Sequence, residues 1–401
     1  MTDDRDVATH APIRPIHDRP TLVSFASLAA WSWFVYGFGA SLALLRDDQG
    51  TSEVLGGLHG TALAAGGIIG ALVTPHLNHR FGRGPVARAA AIATSLGIVL
   101  YLWPGLPVGG TLTAIAVTCF FGNIIVVGVN SFIATHQGPA SPAAFTESLG
   151  LAALMGLLAP LGVGLAAASA LGWRVGLLVS VAAYAVIEIL RGRRLAVYGG
   201  PGQVKMRKEA GALPPLTWWA LTAGMTYIGA EFCLSLWGVD LLRDRAGMSP
   251  AAAAAGLSTV LGGMFVGRVF GVRFAERVSS ERLLRVSLVA GLVAFSVAWL
   301  VTNPVALLVA LFLTGVGLSL SWPLSMSRII RAAAGNNDRA SALALAFTTT
   351  AIGLAPFLLG ALASRSGVHL AFLVVPVLLV TTLILVLVRP VPENVPEPVA
   401  A

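Results

Sequence analysis

Glu231 is the side chain best placed to do chemistry. It sits in the middle of a long apolar run, with Tyr227 four residues before it and Ser235 four after, so the three fall on one face of a helix. A carboxylate at the centre of a bilayer costs about 2.5 to 3.5 kcal/mol on the insertion scale and is kept only with a partner, a water-filled cavity or a task. Removal from water disfavours the charged form, which suits such a group to gain and lose a proton. Glu231 is therefore the candidate proton-coupling residue, and the plainer alternative is a neutral acid hydrogen-bonded between helices. Asn123 and Asn130 lie seven residues apart, two helical turns, and either hydrogen-bond a solute or hold helices together. Trp33 and Tyr36 lie too deep in their apolar run for an interfacial belt, and either stack on a ring or pack against neighbours. Ser321 and Trp322 complete the candidate substrate cavity.

Other chemistries find no residues to carry them. There is no phosphate-binding loop, no His and acid cluster at metal-ligand spacing, and no Ser, His and Asp set at one depth, so neither an enzyme nor a bound metal or cofactor is expected. Cys119 and Cys233 lie inside apolar runs without redox spacing and read as free thiols.

The elements that must hold these residues are membrane helices. Of 401 residues, 56% are hydrophobic and 11% charged, with a mean hydropathy of +0.82, against roughly 25% charged residues in a soluble chain. A span needs about 20 apolar residues. Twelve such runs follow one another: 21–45, 54–77, 86–103, 111–135, 143–168 and 173–190, then 216–242, 250–274, 283–301, 304–327, 341–363 and 370–388. The fold class is thus all-α, a polytopic membrane protein of two six-helix bundles. Residues 1–20 form a polar tail without a cleavable signal, 21–190 the first bundle, 191–215 a basic Gly- and Pro-containing linker, 216–388 the second bundle, and 389–401 a second tail.

The net charge of +8 is distributed by topology rather than gathered on a nucleic-acid-binding face. One set of alternate loops carries sixteen Lys and Arg, at Arg80, Arg83, Arg88, through the linker, and on to Arg328, Arg331 and Arg339; the other set carries five. Positive residues stay on the cytoplasmic side, which puts both tails and the linker there and the protein in the plasma membrane.

The halves also repeat. Gly156-Leu-Leu-Ala-Pro160-Leu-Gly-Val-Gly164 in the fifth span returns as Ile352-Gly-Leu-Ala-Pro356-Phe-Leu-Leu-Gly360 in the eleventh, and His79-Arg80-Phe81-Gly82-Arg83 after the second span has its counterpart in Ala275-Glu276-Arg277 after the eighth. Six plus six helices, a basic central loop and this turn resemble the major facilitator superfamily. The resemblance implies that Arg80, Gly82 and Arg83 belong to a cytoplasmic gate, with Glu276 and Arg277 as its second-half pair; His79 stands where the family's loop is acidic. Glu147 and Glu188, near the cytoplasmic ends of the fifth and sixth spans, are candidate partners for Arg80, Arg83 or Arg191, with a local Glu188 to Arg191 pair as the alternative. Tyr227 to Trp237, Gly267-Arg268, Gly315-x-Gly317 and Trp322-Pro323 are similar to the fucose and glucose/galactose permease group, although this chain has no acid in spans one and four.

These readings lead to a secondary active transporter acting as a monomer in the lipid bilayer. It takes up a small polar solute, of which a sugar-like one is a candidate, with H+. The alternatives are a proton-driven efflux antiporter and a membrane receptor or scaffold that moves nothing.

Overall fold

The computed structural model describes residues 15–202, 212–275 and 278–392. Among them the chain forms fifteen α-helices that make twelve passes. The first half comprises α1 (Arg19–Gln49), α2 (Glu53–Phe81), α3 (Arg83–Tyr101), α4 (Val108–His136), α5 (Ser141–Ala168) and α6 (Arg174–Arg191). The second comprises α7 (Pro215–Ala246), α8 (Pro250–Gly256) with α9 (Ser258–Ala275), α10 (Ser280–Leu300), α11 (Pro304–Leu318) with α12 (Ser321–Ala332), α13 (Asn337–Ser366), and α14 (Val368–Ala371) with α15 (Val374–Val388). Ten of the passes are long and apolar enough to cross a membrane by length and composition. The other two, α6 and α7, carry more charged or polar side chains. This is a multi-pass membrane protein.

Local signals set the helix ends. Asp18 caps α1, its carboxylate accepting from the Thr21 amide at 3.0 Å, and Gly50 closes that helix in the left-handed conformation at φ 58°. The turn between α2 and α3 is the single residue Gly82, whose φ of 81° a side chain would resist. The start of the linker folds back onto this turn, with the Arg83 amide donating to the Gly199 carbonyl at 3.0 Å and the Gly202 amide to that of His79 at 2.9 Å. The loop expected after the second span is therefore almost absent, and α3 starts at Arg83 itself.

Three of the expected continuous spans are broken. The eighth is interrupted at Leu257, the tenth at Ser319–Leu320 and the twelfth at Phe372–Leu373. The second break has a plain cause. Pro323 has no N–H to give to the Ser319 carbonyl four residues earlier, and its ring crowds that carbonyl.

The packing pattern repeats between halves. In the first, α1 packs on α5 and α6, and α4 on α2 and α3; in the second, α7 packs on α13 and α15, and α11 on α9 and α10. Both inner pairs close on glycine: Gly66 and Gly70 of α2 lie against the carbonyls of Ala116 and Phe120, and Gly263 and Gly315 do the same between α9 and α11. The halves meet through α1 with α7, α2 with α13, and α5 with α8 and α9. Gly39 against Ser235, Thr61 against Gly353, and Gly164 against Ala255 all lie toward the end away from the linker, here called the far end.

Candidate functional site

The central cluster is built from four helices at mid-depth. Glu231 is the seventeenth residue of the 32 in α7 and is 5% exposed. The Tyr227 hydroxyl lies 2.7 Å from its carboxylate and 3.0 Å from the Leu318 carbonyl at the end of α11. From α9, Arg268 donates its Nε to the Ser319 carbonyl at 3.2 Å, the same carbonyl that Pro323 leaves without a helical donor. Arg268 also acts electrostatically on Glu231, Tyr227 and Tyr36 without closing an ion pair on any of them. Tyr36 comes from α1 and is the first half's contribution, half-buried with its ring against Gly156 of α5.

The Tyr227 contacts pose a proton-counting problem. A phenol has one proton, and here it faces two acceptors. With Glu231 ionised, the hydroxyl donates to the carboxylate and the Leu318 carbonyl goes without it. With Glu231 protonated, the acid donates to Tyr227 and Tyr227 donates to Leu318, so every contact is satisfied.

The other expected cavity residues divide. Asn123 gives its amide to the Cys119 carbonyl on its own helix at 3.0 Å and sits beside Gly67, where Thr349 of α13 also approaches. Asn130 is exposed further toward the linker end. Ser235 is buried one turn beyond Glu231, where its carbonyl meets Gly39 of α1. Trp322 packs beside Gly224 of α7. Two side chains turn away from the space between the halves. Trp33 donates its indole N–H to the Gly176 carbonyl of α6 at 2.8 Å, because a buried indole nitrogen needs an acceptor. The Ser321 hydroxyl lies 3.3 Å from that of Ser287 on α10. Both belong to the packing of their own halves.

The linker-end charges also pair within halves. Arg83 is buried and donates to the Thr135 hydroxyl of α4 at 2.9 Å, while Arg80 lies over the Phe81 ring at 5.2 Å. Glu147 pairs with His17 at 2.6 Å rather than with Arg80 or Arg83, because the segment before α1 runs past the start of α5. Glu188 pairs with Arg191 at 2.7 Å, the local alternative, and with Arg88 of α3 at 3.0 Å. Glu276 and Arg277 lie outside the described residues. Next to them, Glu281 faces Arg328 at 3.1 Å and Arg331 at 3.5 Å.

The contact that sequence reading passed over is at the far end. Asp240 of α7 is buried and holds Arg46 of α1 through two hydrogen bonds of 2.8 and 3.2 Å. The Arg46 guanidinium also stacks over Trp237 at 4.8 Å, and Asp47 pairs with Arg243 at 2.8 Å. This network ties α1 to α7 across the seam. The signal was available: Arg46-Asp47-Asp48 ends α1 and Asp240 to Arg245 ends α7, at equivalent places in the repeat and with complementary charge.

The family model described as Major Facilitator Superfamily matches residues 215–401, the second half of the chain. No curated protein matches the sequence. Among solved structures, a peptide transporter POT in complex with alafosfalin superimposes with a TM-score of 0.78 at 14% identity, over 97% of this chain and 98% of that one. The xylose transporter XylE from E. coli, in a partially occluded inward-open conformation, gives 0.74 at 13% identity over 94% and 98%. The nucleoside transporter NupG gives 0.70 at 13% identity over 92% and 98%. The class is thereby defined: this is a multi-pass membrane protein with the major facilitator fold, the fold of these three solved structures.

Proposed function

We propose that this chain is a secondary active transporter of the Major Facilitator Superfamily that takes up a small polar solute with a proton, by alternating access. The fold supports transport, and the observation that carries the coupling is the Tyr227 hydroxyl shared between Glu231 and the Leu318 carbonyl. Protonation of Glu231 completes that chain and loss of the proton breaks it, so the proton's presence is felt at the break in the tenth pass. The solute occupies the space between the halves, bounded by Tyr36, Asn123, Asn130 and Trp322. The positive-inside count puts the linker end in the cytoplasm, so the far end, where α1 meets α7, faces outward. The likeness to the fucose and glucose/galactose permease group rests on short motifs of spans seven, eight and ten, and favours a sugar-sized solute.

Glu231→Gln tests the coupling. Glutamine keeps the shape and can donate to Tyr227 as the neutral acid does. In proteoliposomes the variant should lose accumulation driven by a pH gradient and keep counterflow exchange of solute. A variant that concentrates solute as well as wild type would leave Glu231 as a packing residue. Labelling of tags at either terminus from outside intact cells would overturn the assigned orientation.

A further inference from the structure

Arg268 has no described use for most of its guanidinium. Its Nε is committed to the Ser319 carbonyl, but its two terminal nitrogens take no protein partner among the described residues, and neither is sealed from solvent. An arginine stays charged in a protein, and one left at mid-depth without a counter-ion is costly unless something else supplies the negative charge. Glu231 lies close enough to act on it electrostatically, yet no ion pair joins them. Around these two the remaining ionisable groups are the phenols Tyr36 of α1 and Tyr227 of α7. The only described acid of α5, Glu147, is engaged at the linker end by His17, and α11 and α15 carry no ionisable side chain. On α12 the charged residues Arg328 and Arg331 are engaged by Glu281, and Arg339 and Arg365 of α13 sit near its two ends.

The charge balance is therefore one cation against one acid that a proton can neutralise. We propose that Arg268 binds a carboxylate group of the transported solute, and that this carboxylate and the ionised Glu231 are alternative counter-charges to it. Protonation of Glu231 leaves Arg268 uncompensated and recruits the anion; loss of the proton restores the internal negative charge and lowers affinity for the solute. Proton and monoanion then move together, and the loaded site carries no more net charge than the empty, ionised one. The free edge of the guanidinium is a fork suited to a planar carboxylate, and its Nε bond to Ser319 fixes the plane in which that fork lies. A phosphate dianion fits less well, since one arginine cannot balance it. This assignment rests on the proton-coupled reading of Glu231 for its pH dependence, but the anion site itself does not.

The test uses purified full-length protein and pairs of compounds sharing one skeleton: lactate and lactamide, nicotinate and nicotinamide, gluconate and glucose. A ligand that binds the folded state raises the thermal midpoint with concentration. At pH 5.5 at least one carboxylate should stabilise the wild type while its neutral counterpart does not, and the effect should weaken at pH 8. Arg268→Gln should weaken carboxylate binding about thirtyfold or more, as loss of a buried charge partner does. Glu231→Gln should bind the carboxylate equally at both pH values. Stabilisation by neutral compounds alone, by no carboxylate at all, or by a carboxylate undiminished in Arg268→Gln would overturn the assignment. If Arg268→Gln does not fold, the wild-type comparison of each acid with its neutral partner decides. A Glu231→Gln protein that binds carboxylate and still concentrates it from a pH gradient would sink the coupling and leave the anion site standing.

Discussion

The Arg46 and Asp240 pair closes the far end, and its removal should open that end. Both side chains are under 10% exposed, the two hydrogen bonds are 2.8 and 3.2 Å, and the pair joins α1 to α7 across the seam. Asp240→Asn leaves the Arg46 charge buried beside Trp237 without its partner, a change that costs about 3 to 5 kcal/mol. That cost falls only on the conformation closed at the far end, since opening returns Arg46 to water. A shift of about 3 kcal/mol moves the equilibrium between the two conformations roughly 150-fold toward the open one. Spin labels at the exposed positions Ser52 and Ser249, one in each half, would report the separation in a background where Cys119 and Cys233 have been replaced.

Wild type should give one short distance, and Asp240→Asn a dominant longer one. The double variant Arg46→Met with Asp240→Leu supplies the contrasting arm. Replacing a buried pair by apolar residues of similar size is often neutral or stabilising, so this variant should return to the short distance and exchange slowly. If Asp240→Asn leaves the distances unchanged, the pair is not a latch and the closed end is held by apolar contacts alone.

Two further outcomes follow from local chemistry. Pro323→Ala returns an N–H to the Ser319 carbonyl, joins α11 to α12 and makes Arg268 share its acceptor; the thermal midpoint should rise, with up to about 3 kcal/mol available from removing an interior proline, while turnover falls. Unchanged turnover would show that the break serves no step of transport. Asp18 outside the membrane is held below the ordinary carboxylate range: its partial burial opposes this, but hydrogen bonds from Thr21 and His136 outweigh it. Its contribution is therefore complete above the unfolded value of about 3.9 and is lost as pH falls through the lower folded value. The stability advantage of wild type over Asp18→Asn should shrink below about pH 4, and an advantage independent of pH would refute the assignment.

Apolar run length made the twelve passes legible, because a helix that must satisfy its backbone in lipid cannot be much shorter than the bilayer is thick. The repeat was legible for the same reason, each half facing the same packing problem. The breaks were harder. Pro323 was visible as part of a short motif, but its effect depends on which groups reach the carbonyl it orphans, and those come from α9, about fifty residues earlier. Glu231 and its stripe could be found because Tyr227 is a helical neighbour. Arg268 was equally visible as an intramembrane charge, yet its relation to Glu231 spans two helices and has no local period. Arg46 and Asp240 are 194 residues apart, and each alone resembles an ordinary loop charge. Trp33 and Tyr36 show the limit of face arguments: they are close on one helix, and the need of an indole N–H for an acceptor sends Trp33 into its own half while Tyr36 faces the other.

The seam itself supplies the last prediction, because it separates steric from ionic closure. At Gly39 a Cβ would fall against the Ser235 backbone, 3.2 Å from the carbonyl carbon and closer still to its oxygen. That oxygen belongs to the interior of α7 and cannot swing aside as a side chain could. Gly39→Ala must therefore part α1 from α7 at the level of Ser235, one turn from Glu231, or be excluded from the closed state altogether. The Ser52 and Ser249 labels should again report the longer distance, now without dependence on salt, whereas the ionic latch is screened to the extent that water reaches it. Gly128→Ala is the control, since nothing lies within 4 Å of a Cβ there. Combining Gly39→Ala with Asp240→Asn should add little, because both act by emptying the same conformation. A normal short distance in Gly39→Ala would mean that α1 and α7 are not in backbone contact when the far end is shut, and the closed seam described here would then not be the one the protein uses.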